Sequence, residues 1–342
     1  MASAPSRSMR APLTLAAVFS LLIAGHAPAQ VGPNGEVDGL VAKFVDVNGV
    51  RTRYYDYGEG EAIVLAGAGT ASGGANLWSR NIRGLARKFR VLAVDELGEG
   101  MTDAPKDDED FGRAGQVEHL YQFMRAMKLS SVHLVGISSS GFDMFAVALE
   151  HPDIVKTFTW VSVGAAFRTD ATKMQARVAN CPEDTLSAEY QKCRMAARAP
   201  APGTFPPDFE KASDWMWNLP KSVEIRKRLA ALRAASAQRE AADRAYRERI
   251  MEKARSGALQ VPILLYSGKQ DVFDWAAEAP HADMRGGIAF FDLVGAKNPR
   301  VKLIVINDAG HFVSRERPDQ FNADLIQFIE YSNSNTHPPR AQ

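Results

Sequence analysis

Cysteine is scarce in this chain: two cysteines among 342 residues are too few for a disulfide scaffold or a cysteine-rich metal site. A large charge of one sign is also missing, because 41 Lys and Arg residues balance 40 Asp and Glu residues to a net charge of +1. The chain therefore lacks an overall basic field that would attract nucleic acid or anionic membranes. Folding has to rest on a hydrophobic core, and 46% apolar residues can supply one.

The N-terminus lacks an apolar run long enough to cross a membrane. Residues 13–24 are a mostly apolar run of twelve residues, whereas a spanning helix needs about 20. Arg7 and Arg10 precede the run, and a small-x-small pattern that ends at Ala29 follows it. These features are typical of a secretory signal peptide cleaved near Ala29, with an uncleaved membrane anchor as the alternative. We therefore expect a periplasmic or secreted protein without a stable membrane anchor, carrying a net charge of −1 once residues 1–29 are removed.

Export would also change what the two cysteines do. Cys181 and Cys193 are twelve positions apart in a polar stretch. In an oxidising compartment they can form a disulfide that clamps a local loop. We expect that disulfide, and two free, buried thiols are the alternative.

Strands and helices alternate along most of the chain. Asn48-Gly49 between two β-prone runs predicts a hairpin. Further short apolar runs predict buried strands at 62–65, 89–94, 132–135, 158–163, 263–266 and 303–306. Helices are predicted around Val117 to Met124, over 142–150 and over 321–331. This alternation indicates an α/β fold, with a mostly parallel central sheet flanked by helices on both faces.

Residues 168–258 interrupt the alternation. They contain both cysteines, a proline-rich stretch at 199–207, and a charged helical segment with ten basic and four acidic residues over 226–255. We interpret them as an inserted helical lid whose basic face is solvated rather than a nucleic-acid surface. The predicted organisation is a signal peptide at 1–29, a flexible N-terminal arm at 30–42, core segments at 43–167 and 259–332 around the lid, and a disordered tail at 333–342.

The main chemical signal lies at residues 133–141. There a β-prone run ends in Gly-Ile-Ser-Ser-Ser-Gly and passes directly into a predicted helix. A serine between small residues at such a junction is a nucleophile-elbow pattern. The spacing from Gly136 selects Ser138 as the nucleophile, although Ser140 stands where glycine is usual. Ser139 and Ser140 are the rival hydroxyls.

A serine nucleophile needs a base that an acid orients. Asp271 follows the predicted strand at 263–266, and His311 follows the strand at 303–306. Both therefore leave the carboxyl ends of strands, where α/β sheets place their sites. We predict His311 as the general base and Asp271 as the residue that orients it, with Asp274 as the competing acid.

The oxyanion needs two backbone N–H donors. We expect one from Ser139, directly after the nucleophile, and one from Ala68, in the glycine-rich loop after the strand at 62–65. Gly67-x-Gly69 in this loop imitates a dinucleotide-binding fingerprint, but Ser72 stands at its third glycine position and the expected acid about 20 residues later is missing. We expect no cofactor and no metal.

These residues together resemble the α/β-hydrolase superfamily over residues 43–332. Four motifs match in order and spacing: Leu134-Val135-Gly136-x-Ser138, Asp95-x-x-Gly98-x-Gly100-x-x-Asp103, Gly268-x-x-Asp271 and Gly310-His311. The chain is most similar to the lid-bearing hydrolases of meta-cleavage products and to related esterases. The resemblance implies the α/β-hydrolase fold and the catalytic triad Ser138, Asp271 and His311.

Three departures from that branch bear on the substrate. Ala66-Gly67 replaces its His-Gly, Phe312 stands where the carbon–carbon hydrolases usually have Trp, and those enzymes are typically cytosolic. The last two favour an exported serine hydrolase that cleaves a small-molecule ester or lactone with a bulky apolar or aromatic group, through an acyl-enzyme. A carbon–carbon hydrolase, with a lid arginine binding the substrate carboxylate, and a non-catalytic ligand-binding relative are the alternatives.

An apolar cluster in the predicted lid is the candidate for specificity. Trp215, Met216, Trp217 and Leu219 follow one another closely between Asp214 and Pro220. Packing within the lid is one interpretation, and a wall that binds the substrate is the other. We name Trp215, Trp217 and Phe312 as candidate substrate contacts. A homodimer is an arrangement that the sequence leaves open.

Overall fold

Eight strands form one mixed sheet in the computed structural model, which describes residue 1 and residues 31–67, 74–163, 180–184, 187–197, 203–235, 237–271 and 285–334. The strands are β1 (Lys43–Val47), β2 (Val50–Tyr57), β3 (Ala62–Ala66), β4 (Arg90–Val94), β5 (Val132–Ile137), β6 (Val155–Val161), β7 (Ile263–Gly268) and β8 (Val301–Ile306). Their order across the sheet is β1-β2-β4-β3-β5-β6-β7-β8. β2 pairs antiparallel with β1 and β4, and all pairs from β4 to β8 are parallel.

Both faces of the sheet are buried, as the apolar runs predict. All residues of β3, β5 and β7 are buried, which is typical of parallel strands covered by helices on both sides. Successive side chains of β3 alternate between the faces, so that Val64 lies in one hydrophobic cluster and Leu65 in the other. The predicted mostly parallel central sheet with helices on both faces is confirmed.

The described helices are α1 (Gly74–Leu77), α2 (Ser79–Leu85), α3 (Arg113–Ala126), α4 (Ser139–Glu150), α5 (Ala188–Ala196), α6 (Pro207–Trp217), α7 (Pro220–Ala235), α8 (Ala237–Arg255), α9 (Arg285–Gly295), α10 (Val313–Glu316) and α11 (Pro318–Ser334). Short 3-10 helices lie at Glu109–Phe111 and Pro152–Ile154. α3, α4, α8 and α9 contribute side chains to one cluster, and α1, α2, α6 and α11 to the other. None of the described helices combines the length and apolar content that crossing a membrane requires.

A helical insertion, residues 162–262, separates β6 from β7 and contains α5 to α8. A disulfide joins Cys181 to Cys193 of α5, with the two Cα atoms 5.7 Å apart. The C-terminal half of α8 falls within the predicted lid, but its residues Ile250 and Ala254 are buried in the hydrophobic cluster that covers the sheet. This part of the insertion belongs to the core.

The segment at 31–42 packs against the core, in contrast to the flexible arm expected from its glycines. Val37 and Leu40 are buried. The carbonyl oxygen of Gly35 accepts hydrogen bonds from Asn76 at 2.8 Å and from Arg53 at 3.4 Å. These apolar and polar contacts fix the segment. The proposed signal peptide beyond residue 1 and the tail from residue 335 onward lie outside the described residues.

Candidate active site

The turn between β5 and α4 holds Ser138 in an unusual backbone conformation. Its φ of +57° lies in the left-handed region, which side-chain-bearing residues rarely adopt. A Cβ on Gly136 would lie 2.6 Å from the Ser140 carbonyl oxygen, and one on Gly141 would lie 2.0 Å from the Trp160 indole nitrogen. The tightness that the small residues predict is therefore present. Trp160 itself donates from Nε1 to the Ser138 carbonyl oxygen at 2.9 Å.

The three consecutive serines have different surroundings. Ser138 and Ser139 are partly exposed, whereas Ser140 is buried. The Oγ of Ser140 donates to Glu96 Oε2 at 2.7 Å. Ser140 is therefore engaged inside the protein, and Ser138 is the partly exposed hydroxyl at the strained position.

Asp271 and His311 form a buried pair. Asp271 Oδ2 lies 2.8 Å from His311 Nδ1, and the side chains are 0% and 2% exposed. A hydrogen bond from Nδ1–H to the carboxylate leaves Nε2 as the nitrogen that can take a proton. The two loops lie in contact, since a Cβ on Gly268 would be 2.3 Å from the Gly310 carbonyl oxygen. The rival acid Asp274 lies outside the described residues.

The end of β6 links the serine turn to the histidine loop. The backbone N–H of Ser138 donates to the Val161 carbonyl at 2.8 Å. The next residue, Ser162, donates from Oγ to the His311 carbonyl at 2.6 Å. Ser138 and His311 are therefore held on either side of one strand end, at the carboxyl edge of the sheet. The arrangement suits attack by a serine that a buried His–Asp pair activates.

Glu316 holds the histidine loop, and sequence reasoning missed it. Its carboxylate accepts the backbone N–H groups of Gly310 at 3.1 Å and of Phe312 at 3.2 Å. These are the residues on either side of His311. A glutamate five positions after the histidine was the available signal, but its role depends on the α10 turn that folds it back.

Asp95 connects the start of α1 with the loop after β4. Its carboxylate pairs with Arg53 at 3.1 Å and accepts the backbone N–H groups of Ala75 at 2.9 Å and Met101 at 3.0 Å. Ala68, the expected oxyanion donor, lies outside the described residues. Ser139, the other expected donor, opens α4 directly after Ser138.

An open cleft lies between α5 and α6. Its lining includes Met195, Phe205, Phe209, Glu210, Asp214 and Trp217. Of the three candidate substrate contacts, Trp217 lines the cleft. Phe312 is buried behind its wall, with its ring 5.0 Å from that of Phe205. Trp215 is 39% exposed and is not part of the lining. Phe205 comes from the proline-rich stretch and gave no sequence signal.

Charged groups surround the cleft unevenly. Glu210 and Asp214 contribute two carboxylates, and Lys192 pairs with Glu210 at 3.0 Å. Outside the lining, the Arg226 guanidinium lies 3.7 Å over the Trp217 ring and donates to the Trp217 carbonyl at 2.7 Å. Burial lowers the pKa of Arg226, and the charge of the nearby Glu99 carboxylate opposes that shift. Among the described residues, no group of three His, Cys, Asp or Glu side chains could hold a metal ion.

The chain is similar to curated hydrolases of dienoic acids and semialdehydes. It is 36% identical over 141 residues to 2-hydroxy-6-oxo-6-(2'-aminophenyl)hexa-2,4-dienoic acid hydrolase of Metapseudomonas resinovorans, covering 40% of this chain and 46% of that protein. It is 33% identical over 121 residues to 2-hydroxymuconate semialdehyde hydrolase of Pseudomonas putida, covering 35% and 42%. The matches thus span less than half the length of these relatives.

Solved structures of hydrolases share the fold over most of the chain. One is a 2-hydroxy-6-oxo-6-phenylhexa-2,4-dienoate hydrolase from Rhodococcus sp. strain RHA1, with a TM-score of 0.67 and 19% identity over 85% of this chain and 99% of that one. Another is a serine hydrolase involved in carbazole degradation, with a TM-score of 0.63, 24% identity and the same coverage. At these identities the likeness concerns the fold alone.

A family model described as the alpha/beta hydrolase fold matches residues 62–318. This match agrees with the sheet order and with the hydrolases among the relatives. The resemblance inferred from the four motifs is confirmed: the chain belongs to the α/β-hydrolase family.

Proposed function

We propose that the protein hydrolyses a carbon–carbon bond in a vinylogous diketone acid, using Ser138, His311 and Asp271 as a catalytic triad. The observation that carries the triad is the buried His311–Asp271 pair, tied through the end of β6 to the Ser138 turn. The names of the curated relatives support the carbon–carbon bond over the ester that the sequence alone favoured.

The proposed reaction has two halves. His311 Nε2 takes the Ser138 hydroxyl proton while Oγ attacks the ketone carbon, and the Ser139 N–H binds the resulting oxyanion. The carbon–carbon bond then breaks. Its electron pair is delocalised into the departing dienol acid, which receives the proton from His311. Water, deprotonated by His311, then attacks the acyl carbon. The bond from that carbon to Ser138 Oγ breaks, and His311 returns the proton to Oγ, which releases the carboxylic acid and completes the cycle.

Arg226 is the proposed site for the substrate carboxylate. It is the described arginine of the insertion that stacks on Trp217, a lining residue of the cleft. Arginine binds carboxylates strongly because its N–H groups match both oxygens. An acid substrate could therefore place its apolar part against Trp217 and its carboxylate on Arg226.

Hydrolysis of a carboxylic ester is the second candidate. Phe312 follows the proposed catalytic histidine where the carbon–carbon hydrolases resembled by this chain usually have Trp. Glu210 and Asp214 also make the cleft unfavourable for an anion except near Lys192. Both features favour a neutral aromatic or apolar ester, and the same triad would cleave it.

Two substrate sets separate these candidates. The purified protein is incubated with a coloured dienoate, whose bleaching reports carbon–carbon cleavage, and with a panel of p-nitrophenyl and aryl esters. We expect bleaching with a kcat/KM above that for every ester. Esterase activity without bleaching would refute the carbon–carbon assignment and establish the second candidate.

Arg226→Gln tests the carboxylate site. We expect KM for the dienoate to rise by about tenfold or more, because a charge-assisted hydrogen bond is lost, while KM for a neutral ester stays constant. Arg255→Gln is the matched control, because Arg255 pairs with Glu252 on the exposed face of α8. An unchanged dienoate KM in Arg226→Gln would contradict the assignment.

We also propose export to the periplasm or the medium, on the basis of the N-terminal sequence. The disulfide between Cys181 and Cys193 supports this, since such bonds persist in oxidising compartments. N-terminal sequencing of the secreted or periplasmic form should find a start near residue 30, and an intact Met1 would contradict cleavage.

A further inference from the structure

A carboxyl group that the proposed reaction does not use is buried beside the nucleophile turn. Glu96 follows β4 and is 5% exposed. Its Oε2 lies 2.7 Å from the Oγ of Ser140, in the first turn of α4. Its Oε1 is also buried and has no hydrogen-bond partner among the described residues. An ionised carboxylate in this place would keep an oxygen in the interior without a donor, which costs far more than an uncharged carbonyl oxygen.

Glu96 has no counterion of its own. Arg113 of α3 is the nearby cation, and it donates to both oxygens of Asp143 at 2.9 and 2.7 Å. Glu99, in the loop after β4, adds another negative charge near Glu96. Burial and then the Asp143 carboxylate raise the pKa of Glu96 well above its usual range.

The remaining charged groups act on the Arg113–Asp143 pair rather than directly on Glu96. Asp243 and Arg247 of α8 contribute opposite charges there. The backbone N–H of Arg113 also donates to Asp243 at 2.9 Å. Arg113 is thus engaged mainly with Asp143, and its charge only partly offsets the effects of burial and of Asp143 on the pKa of Glu96.

The same side chains hold the first turn of α4 from two sides. Glu96 contacts the Ser140 hydroxyl, and Arg113 Nη1 lies 3.5 Å from the Ser139 carbonyl oxygen. The N–H of Ser139 is the proposed oxyanion donor directly after the nucleophile. A shift of this turn would move that N–H, and misplacing a donor by a fraction of an ångström weakens oxyanion stabilisation.

We propose that Glu96, in its uncharged acid form, is a positioning residue that holds Ser140 and thereby fixes the Ser139 N–H toward the oxyanion. With the acid proton on Oε2, this oxygen donates to Ser140 Oγ in place of the reverse bond, and the 2.7 Å separation suits either direction. Loss of the proton at alkaline pH places a carboxylate beside that of Asp143 and loosens the turn. The oxyanion part of this inference rests on the proposed function, whereas the charge state of Glu96 does not.

Glu96→Gln keeps the shape of the side chain and cannot ionise, so it isolates the proton. We expect its kcat at neutral pH to match wild type, and the alkaline loss of kcat in wild type to be absent from the variant. Glu96→Ala removes the contact, and we expect kcat to fall by about tenfold at constant KM, the effect of roughly one hydrogen bond. An identical alkaline limb in wild type and Glu96→Gln would overturn the positioning role.

Thermal unfolding tests the charge state without any substrate. The folded protein holds the Glu96 proton more tightly than the unfolded chain does, so wild type loses stability as pH rises above the usual glutamate range toward the raised folded pKa. We expect the Tm of Glu96→Gln to increase relative to that of wild type as pH rises over this range. Glu150→Gln is the control, because Glu150 lies at the other end of α4 and is ion-paired with Arg249.

The kinetic and the thermal measurements distinguish failure of the Glu96 inference from failure of the proposed function. If the Tm difference between Glu96→Gln and wild type is the same at every pH, or Glu150→Gln shows the same gain, then Glu96 is ionised and the inference is refuted. If the Tm difference grows with pH but neither esters nor dienoates are hydrolysed, the proposed function fails while the uncharged Glu96 stands.

Discussion

Ser138 stores backbone strain at the point where the reaction is proposed to begin. Its φ of +57° costs about 1–3 kcal/mol for a residue with a side chain. Trp160 and the Val161 carbonyl hold the turn in this conformation. The spacing from Gly136 singles out Ser138 in the sequence, and its role as the nucleophile stays a prediction. The contacts of Trp160 and Glu96 were not predictable, because Trp160 lies on β6 and Glu96 follows β4, and they meet the turn only in the folded sheet.

The position of the His311 loop depends on the Glu316 carboxylate. Glu316→Gln removes the negative charge that accepts the N–H groups on both sides of His311. Hydrogen bonds to charged groups are worth about 1.5–3 kcal/mol, so we expect Tm to fall and kcat to drop by about tenfold with little change in KM. Steady-state kinetics and thermal unfolding of the purified variant provide the measurement.

Glu330→Gln is the control for that experiment. Glu330 pairs with Lys88 on the protein surface, where an ion pair contributes little. We expect wild-type kcat and Tm for it. A Glu316→Gln enzyme as active and as stable as this control would show that the histidine loop does not need the carboxylate.

At the scale of elements, the sequence located strands better than it located their ends. β6 was expected at 158–163 but runs over Val155–Val161. It ends early because Ser162 turns with a φ of +59° to reach the His311 carbonyl. The division of the insertion was also misjudged. The helices α7 and α8 are both rich in alanine and arginine, so their sequences resemble one another. The structure shows that α8 buries Ile250 and Ala254 against the sheet.

The disulfide connects to one wall of the cleft. Cys193 belongs to α5, whose Met195 lines the cleft, and the bond ties this helix to Cys181. Closing so short a loop contributes about 3 kcal/mol at most. We expect reduction to change KM for bulky substrates and to speed proteolysis of α5, while the far-UV circular dichroism of the sheet is retained.

Replacing both Cys181 and Cys193 by serine should reproduce the reduced enzyme. The reductant should then have no further effect on the double variant. If reduction leaves KM and proteolysis of the wild-type enzyme unchanged, the disulfide has no part in shaping the cleft.

At the scale of the whole molecule, one buried ion pair joins parts that are distant in the chain. Arg53 and Asp95 are both fully buried, and they connect the segment around Gly35 with the start of α1 and the loop after β4. The order of motifs was sufficient to predict the sheet, and the site at its carboxyl edge stays a prediction. The packing of 31–42 was not predictable, because glycines indicate where a chain turns and not what it turns against.

Ser138, rather than its two serine neighbours, is the proposed nucleophile. The most direct measurement is kcat for the dienoate, or for the best ester, in Ser138→Ala, Ser139→Ala and Ser140→Ala. Loss of a triad nucleophile costs several orders of magnitude, so we expect this from Ser138→Ala alone, with smaller losses from the other two. Wild-type kcat in Ser138→Ala, or an equal loss in Ser139→Ala, would contradict the account.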